Sequence, residues 1–173
     1  MKRKHICLLS LFLTLFIITS CSTLAPQKGD PAIRKGDFAP DLLGETLDGH
    51  EVHLSEFRGK VVVLIFWKTW CNACRIELVN AKVLRHAYKN KFLLFAINIG
   101  EPTRVVRAFK MHYLLDFPVL VDPRTRVFSA YGIRVWPTTI LINQRGQVCW
   151  TGIGSEVELL RQEIEILLEE KTA

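Results

Sequence analysis

The chain has 173 residues, 49% hydrophobic and 23% charged, with a formal net charge of +6. That length gives one domain of ordinary size with short extensions, and a core able to stand without disulfide staples. The composition excludes disordered, collagen-like and low-complexity chains, and no repeat of about 20 to 50 residues marks a solenoid.

Lys2, Arg3 and Lys4 precede an apolar run from Ile6 to Ile18. At ~1.5 Å per residue a helix over that run spans about 20 Å, short of a ~30 Å hydrocarbon core. It therefore reads as a signal-peptide core and not as a membrane span. Ile18-Thr19-Ser20-Cys21 follows. It resembles a bacterial lipobox, which implies cleavage before Cys21 and attachment of lipid to it. The alternative is an ordinary signal peptide with Cys21 as a bystander. The expected division is residues 1–20 signal, 21–35 lipidated Cys and flexible tether (Pro26, Gly29 and Pro31 among polar residues), and 36–170 folded domain. Cleavage would remove only basic charge (Lys2, Arg3, Lys4), leaving a mildly basic domain with no electrostatic case for nucleic acid.

Inside the domain, Asp48-Gly49 is a hairpin-type turn signal between short apolar stretches, and Ser55-Glu56-Phe57 a brief helical turn. Val61 to Trp67 is continuous, apolar and β-branched, the pattern of a strand covered on both faces. Asn72 to Lys89 has helical periodicity, with Ile76, Val79, Val83 and Ala87 as its expected buried stripe. Phe92 to Ile99 is a second buried strand. Pro102 opens a helix whose apolar side is Val105, Val106 and Phe109, and Val119 to Val121 is a short strand stopped by Asp122-Pro123. Thr138–Asn143 and Val148–Thr151 form strands joined around Asn143-Gln144-Arg145-Gly146. A last helix starts at Ser155, with Glu158 completing a capping box and Val157, Leu160, Ile164 and Leu167 inward. This order implies an α/β fold, a mixed central sheet with helices on both faces.

Of the five cysteines, Cys7 lies in the signal and Cys21 at the lipid site. Cys149 stands alone on a strand, either inert through burial or a regulatory thiol. Cys71 and Cys74 enclose Asn72-Ala73 where the first buried strand gives way to a helix. Residues three apart share a helix face, within disulfide range. The partial positive charge at a helix start stabilises a thiolate by up to ~2 kcal/mol, about 1.5 pKa units, enough to ionise a thiol of pKa ~8.5 near neutrality. Position 75 is Arg, so the pair is not a haem-attachment CxxCH, and no second CxxC or His pair completes a zinc site. His50 and His53 read as solvated at a strand edge, and His86 and His112 as helix residues without a special role.

Phe66-Trp67-Lys68-Thr69-Trp70-Cys71-Asn72-Ala73-Cys74-Arg75-Ile76-Glu77 resembles the active site of the TlpA/ResA-like membrane-anchored, thioredoxin-fold thiol-disulfide oxidoreductases. Gly36-Asp37-Phe38, Asp48-Gly49 and Phe57-Arg58-Gly59-Lys60 resemble that family's N-terminal β-hairpin extension. Tyr131-Gly132-Ile133 with Trp136-Pro137-Thr138-Thr139 resembles its cis-proline loop. The resemblance spans residues 36–170 and implies roles. Cys71 attacks, Cys74 resolves the mixed disulfide, and the pair cycles through a Cys71–Cys74 disulfide. Pro137 is cis, and the Trp136 backbone pairs with an extended substrate segment. Trp70 is an exposed aromatic contact near the sulfur or, alternatively, a packing residue. Glu77 is either the base that carries the Cys74 proton or a solvated first-turn carboxylate. The buried acid that thioredoxins keep six residues before the first cysteine is replaced here by Ile65.

Val79 stands where relatives carry a helix-kinking proline, which implies a straighter helix. Lys68, in place of a small residue, is an exposed lysine or an electrostatic support for the thiolate. No His lies between the cysteines, which leans toward a reductant. The expected function is disulfide exchange with cysteine-containing exported proteins, fed by a membrane redox donor and held to the bilayer through Cys21. No further cofactor and no metal is expected, and cytochrome c maturation is one candidate duty. The alternatives are a thiol peroxidase of the same fold, for which Lys68 occupies the position of a required Thr, and a copper-handling or binding module using the two thiols.

Overall fold

The computed structural model describes residues 32–154 and 156–169; the expected signal, lipid site, most of the tether and the Ser155 cap lie outside them. The elements run β1 (Leu42–Thr46), β2 (Glu51–His53), a 3-10 turn (Leu54–Phe57), β3 (Val62–Trp67), α1 (Asn72–Ala87), β4 (Leu93–Ile99), α2 (Thr103–His112), β5 (Val119–Asp122), α3 (Arg126–Ala130), β6 (Thr138–Ile142), β7 (Val148–Ile153) and α4 (Val157–Glu169). Seven strands form one sheet in the order β2-β1-β5-β4-β3-β6-β7. β3, β4 and β5 are parallel, while β6, β7, β1 and β2 pair antiparallel around them. This is the mixed, thioredoxin-like sheet, with the N-terminal hairpin added at its β5 edge.

Every residue of β3 is buried, because its side chains feed two cores in alternation. Val63, Ile65 and Trp67 meet α1, α2 and α4 on one face. Val62, Leu64 and Phe66 meet α3 and the N-terminal segment on the other. A β-branched and aromatic run suits such a strand, since neither pleat face sees water.

Three expectations change. The five-residue α3 was not foreseen: it is too short to show a helical period, and its start depends on the Asp122 carboxylate accepting the Phe128 N–H at 2.8 Å, a partner six residues away. The packed region begins by Ala32 and not at Gly36, because Ile33 is buried and the Ala32 N–H donates to the Gly132 carbonyl at 3.1 Å. Gly132 has φ +60° and a Cβ there would lie 2.2 Å from the Ala32 Cβ, so the approach requires glycine.

The third concerns α1. Ile76, Val79 and Val83 are 53%, 46% and 65% exposed, and Ala87 is exposed as well. The buried side is Cys74, Glu77, Leu78, Ala81 and Leu84. Both sets have helical spacing, so periodicity alone does not choose between them. The junction with β3 chooses: it turns Cys74 inward with no exposure, and the other inward positions follow at one-turn intervals.

Candidate active site

β3 ends at Trp67 and α1 begins at Asn72, so Cys71 is the residue that caps the helix. Its Sγ accepts the Cys74 N–H at 3.1 Å, occupying one of the otherwise unpaired donors of the first turn. The two sulfurs are joined as a disulfide, with Cα atoms 5.2 Å apart. Cys71 keeps 8% of its surface exposed and Cys74 none, so an incoming sulfur meets Cys71 first.

The four-residue bridge from β3 to α1 is held from the next strand. The Glu101 carboxylate, just past β4, accepts the Thr69 N–H at 2.8 Å and the Thr69 hydroxyl at 2.7 Å. The buried Asn98 amide donates to the same carboxylate at 2.6 Å. Glu101 and Asn98 were not singled out by sequence reasoning, and an Asn inside an apolar strand is the only local signal they leave.

The cis-proline loop lies against the disulfide. The Trp136–Pro137 peptide bond is cis, and the Trp136 carbonyl oxygen is 4.0 Å from Cys71 Sγ. The Trp136 indole meets Trp70 edge-on at 5.7 Å between centroids, and Trp70 is 65% exposed. Core packing is therefore not the role of Trp70. Lys68 is half-buried, with Nζ 5.1 Å from the Trp136 ring centre in cation–π geometry. Its charge faces an aromatic ring, where a peroxidase site would hold a Thr hydroxyl.

Glu77 is 2% exposed, which removes the solvated reading. Its Oε1 accepts the Thr139 hydroxyl at 2.9 Å. Thr139 pairs with Ile65 across β6 and β3, so the carboxyl of Glu77 reaches the part of the sheet where a strand acid at position 65 would stand. Thr139 was visible in the sequence only as the end of the proline loop. The hydroxyl thus provides a hydrogen-bond partner to a carboxyl held out of water. Cys149 lies on β7 and is half-buried, not fully buried as expected, with Sγ 3.7 Å from the Gln147 carbonyl.

Comparison with known proteins agrees with this geometry. The model of the AhpC/TSA family matches residues 35–151. The thiol-disulfide oxidoreductase ResA of Geobacillus kaustophilus is 37% identical over 139 residues, covering 80% of this chain and 78% of its own. ResA of Bacillus subtilis is 35% identical over 131 residues, covering 75% and 73%. The crystal structure of a Chlorobium tepidum chain assigned as the thiol:disulfide interchange protein DsbE superposes with a TM-score of 0.73 at 32% identity, covering 79% of this chain and 99% of that one.

Proposed function

We propose, from the premise that this chain belongs to the AhpC/TSA family and is a thiol-disulfide oxidoreductase, that it reduces disulfides of exported proteins with Cys71 as attacking thiolate and Cys74 as resolving thiol. The observation that carries the reading is the placement of the Cys71–Cys74 disulfide. It lies at the start of a 16-residue helix, with one sulfur partly exposed and an open aromatic platform beside it.

In the dithiol form, the field of the α1 N-terminus favours the Cys71 thiolate. An extended substrate strand pairs with the Trp136 backbone beside the cis proline, bringing its disulfide to Cys71. The thiolate attacks one substrate sulfur, the substrate S–S bond breaks, and a mixed disulfide forms while the other substrate sulfur leaves with a proton. Cys74 then loses its proton to Glu77, one turn along the same buried face, and attacks Cys71. The S–S bond between the chains breaks, the substrate departs as a dithiol, and the Cys71–Cys74 disulfide present in this structure remains. A membrane redox donor returns two electrons by the same exchange in reverse.

The finer reading adds attachment to the bilayer through Cys21, a domain on the extracytoplasmic side, and apocytochrome c thiols among the substrates. Among the described residues no helix is long and apolar enough to cross a membrane. The N-terminal basic-apolar-Cys21 pattern is what supports an anchor. The deciding experiment is reduction of insulin disulfides by the reduced chain. Wild type is expected to turn over, Cys71→Ser to be inert, and Cys74→Ala to accumulate a mixed disulfide; turnover by Cys71→Ser would refute the mechanism. Cells lacking the protein are expected to lose c-type cytochromes and to regain them when an external thiol is supplied.

A further inference from the structure

The end of the sheet opposite the disulfide gathers cations from four separate stretches of chain. Lys60 precedes β3 and Lys91 precedes β4, and the register Val62 with Leu93 sets these two approaches side by side. The Gly59 N–H donates to the Gln144 carbonyl at 2.9 Å, which places Arg58 and Lys60 against the β6–β7 turn that carries Arg145. The Arg58 guanidinium lies over Gly146, where a Cβ would come within 2.4 Å of it. The Gly36 N–H donates to Val148 at 2.8 Å, adding Lys35 to the same end. Lys89 follows the end of α1 there.

All six side chains are exposed, and among the described residues none forms an ion pair, whereas Arg85, Arg107, Arg126 and Arg161 elsewhere each pair with a carboxylate. Among the described residues, the exposed carboxylates near this end include Asp37, which accepts the Arg34 N–H, Glu56, which accepts the His53 N–H, and Glu169. The sheet end therefore presents an excess of positive charge that the fold itself does not use. Unpaired cations held on one face attract a polyanionic surface.

We propose that this basic end docks on an anionic lipid bilayer; the proposal rests on the reading of Cys21 as the membrane anchor. The chain outside the described region selects this occupant. Residues 22–31 separate Cys21 from Ala32, and ten residues at up to ~3.6 Å each reach about 36 Å. Ala32 is fixed to Gly132, and four residues later the chain is at the basic end. The tether is thus long enough for that end to lie on the surface holding the lipid. β3 rises ~3.3 Å per residue over its six residues, so Cys71 would then stand about 20 Å or more above the headgroups, facing outward. Docking on the bilayer would set the direction from which substrates are met.

The test uses the full lipidated chain in nanodiscs of phosphatidylcholine alone or of phosphatidylcholine with phosphatidylglycerol. A water-soluble amine reagent and mass spectrometry compare Lys35, Lys60, Lys89 and Lys91 with Lys68, Lys82 and Lys110 of the same molecule. On phosphatidylglycerol discs the first group is expected to react at least about threefold more slowly. The difference should vanish near 0.5 M salt, about where charges a few ångströms apart are screened, and in the variant Lys60→Glu/Arg145→Glu. Equal reactivity on the two discs overturns the proposal while leaving the anchor intact, as does protection of Lys82 and Lys110 instead. A chain washed off neutral discs overturns the anchor and the docking built on it. Equal protection of the same lysines by a short DNA duplex replaces the lipid assignment with general polyanion binding.

Discussion

Helix α1 carries two apolar stripes with the same spacing and opposite fates. Cys74, Leu78, Ala81 and Leu84 enter the core and bring Glu77 with them, while Ile76, Val79 and Val83 stay in solvent. The outward stripe is the more hydrophobic by residue type, since the inward one includes a carboxylate. What decides the rotation of the helix is the requirement that Cys74 lie under Cys71, within bonding range, at the end of β3. A catalytic constraint at the first turn thus sets the face of a 16-residue helix. Burying Glu77 costs desolvation, which the Thr139 hydroxyl offsets by hydrogen bonding.

If the inward face holds both the chemistry and the stability, substitutions along it should separate cleanly from those on the outer face. Cys71→Ser is expected to bring insulin reduction to background with no more than a small change in melting temperature relative to the reduced wild type, where the disulfide is likewise absent and one small side chain replaces another. Glu77→Gln is next: loss of a proton acceptor of this kind costs about a hundredfold or more in rate. The fold should persist, because the amide oxygen still accepts from Thr139. Glu77 is proposed to act as a base, so the glutamine variant should keep its activity only where the thiols themselves ionise, near ~8.5. Unchanged rates and pH profile would reduce Glu77 to a buried structural group. Thr139→Val removes the hydroxyl that holds the Glu77 carboxyl, and the rate should fall by less than in the glutamine variant. Leu78→Ala, read by chemical denaturation, should cost about 2–5 kcal/mol, because Leu78 is 1% exposed and leaves a cavity behind.

Much of this was legible in the chain before any coordinates. The covered strand β3, the Cys71–Cys74 pair and the inward stripe of α4 follow from local sequence, because each is specified within a dozen residues, while the cis-proline loop follows from the family resemblance of Trp136-Pro137-Thr138-Thr139. The five-residue α3 is missed because it is too short to show a period, although its Asp122 partner lies only six residues from Phe128. The face of α1 is misread because a determinant of it lies across the sheet, where Glu77 meets Thr139 of β6. The same holds for Glu101, which fixes Thr69 from 32 residues away and has no motif to announce it. Residues proposed to carry the reaction were visible as letters; Glu101 and Thr139, which fix their surroundings, were not visible in those roles, because their partners are distant in sequence.

The outward stripe gives the smallest effect and the sharpest check on the comparison. Val83 is 65% exposed in the second half of α1, so Val83→Lys removes little buried area and puts a cation toward the negative end of the helix dipole. Lysine is also the better helix former of the two. Stability should therefore change by no more than about 0.5 kcal/mol, of either sign, with insulin reduction unaltered. Val79→Thr, measured beside it, should behave alike at 46% exposure. A loss above about 2 kcal/mol in either variant would belong to a buried position. It would mean that Ile76, Val79 and Val83 are covered in solution, so that the two faces of α1 differ in what they pack against and not in whether they pack.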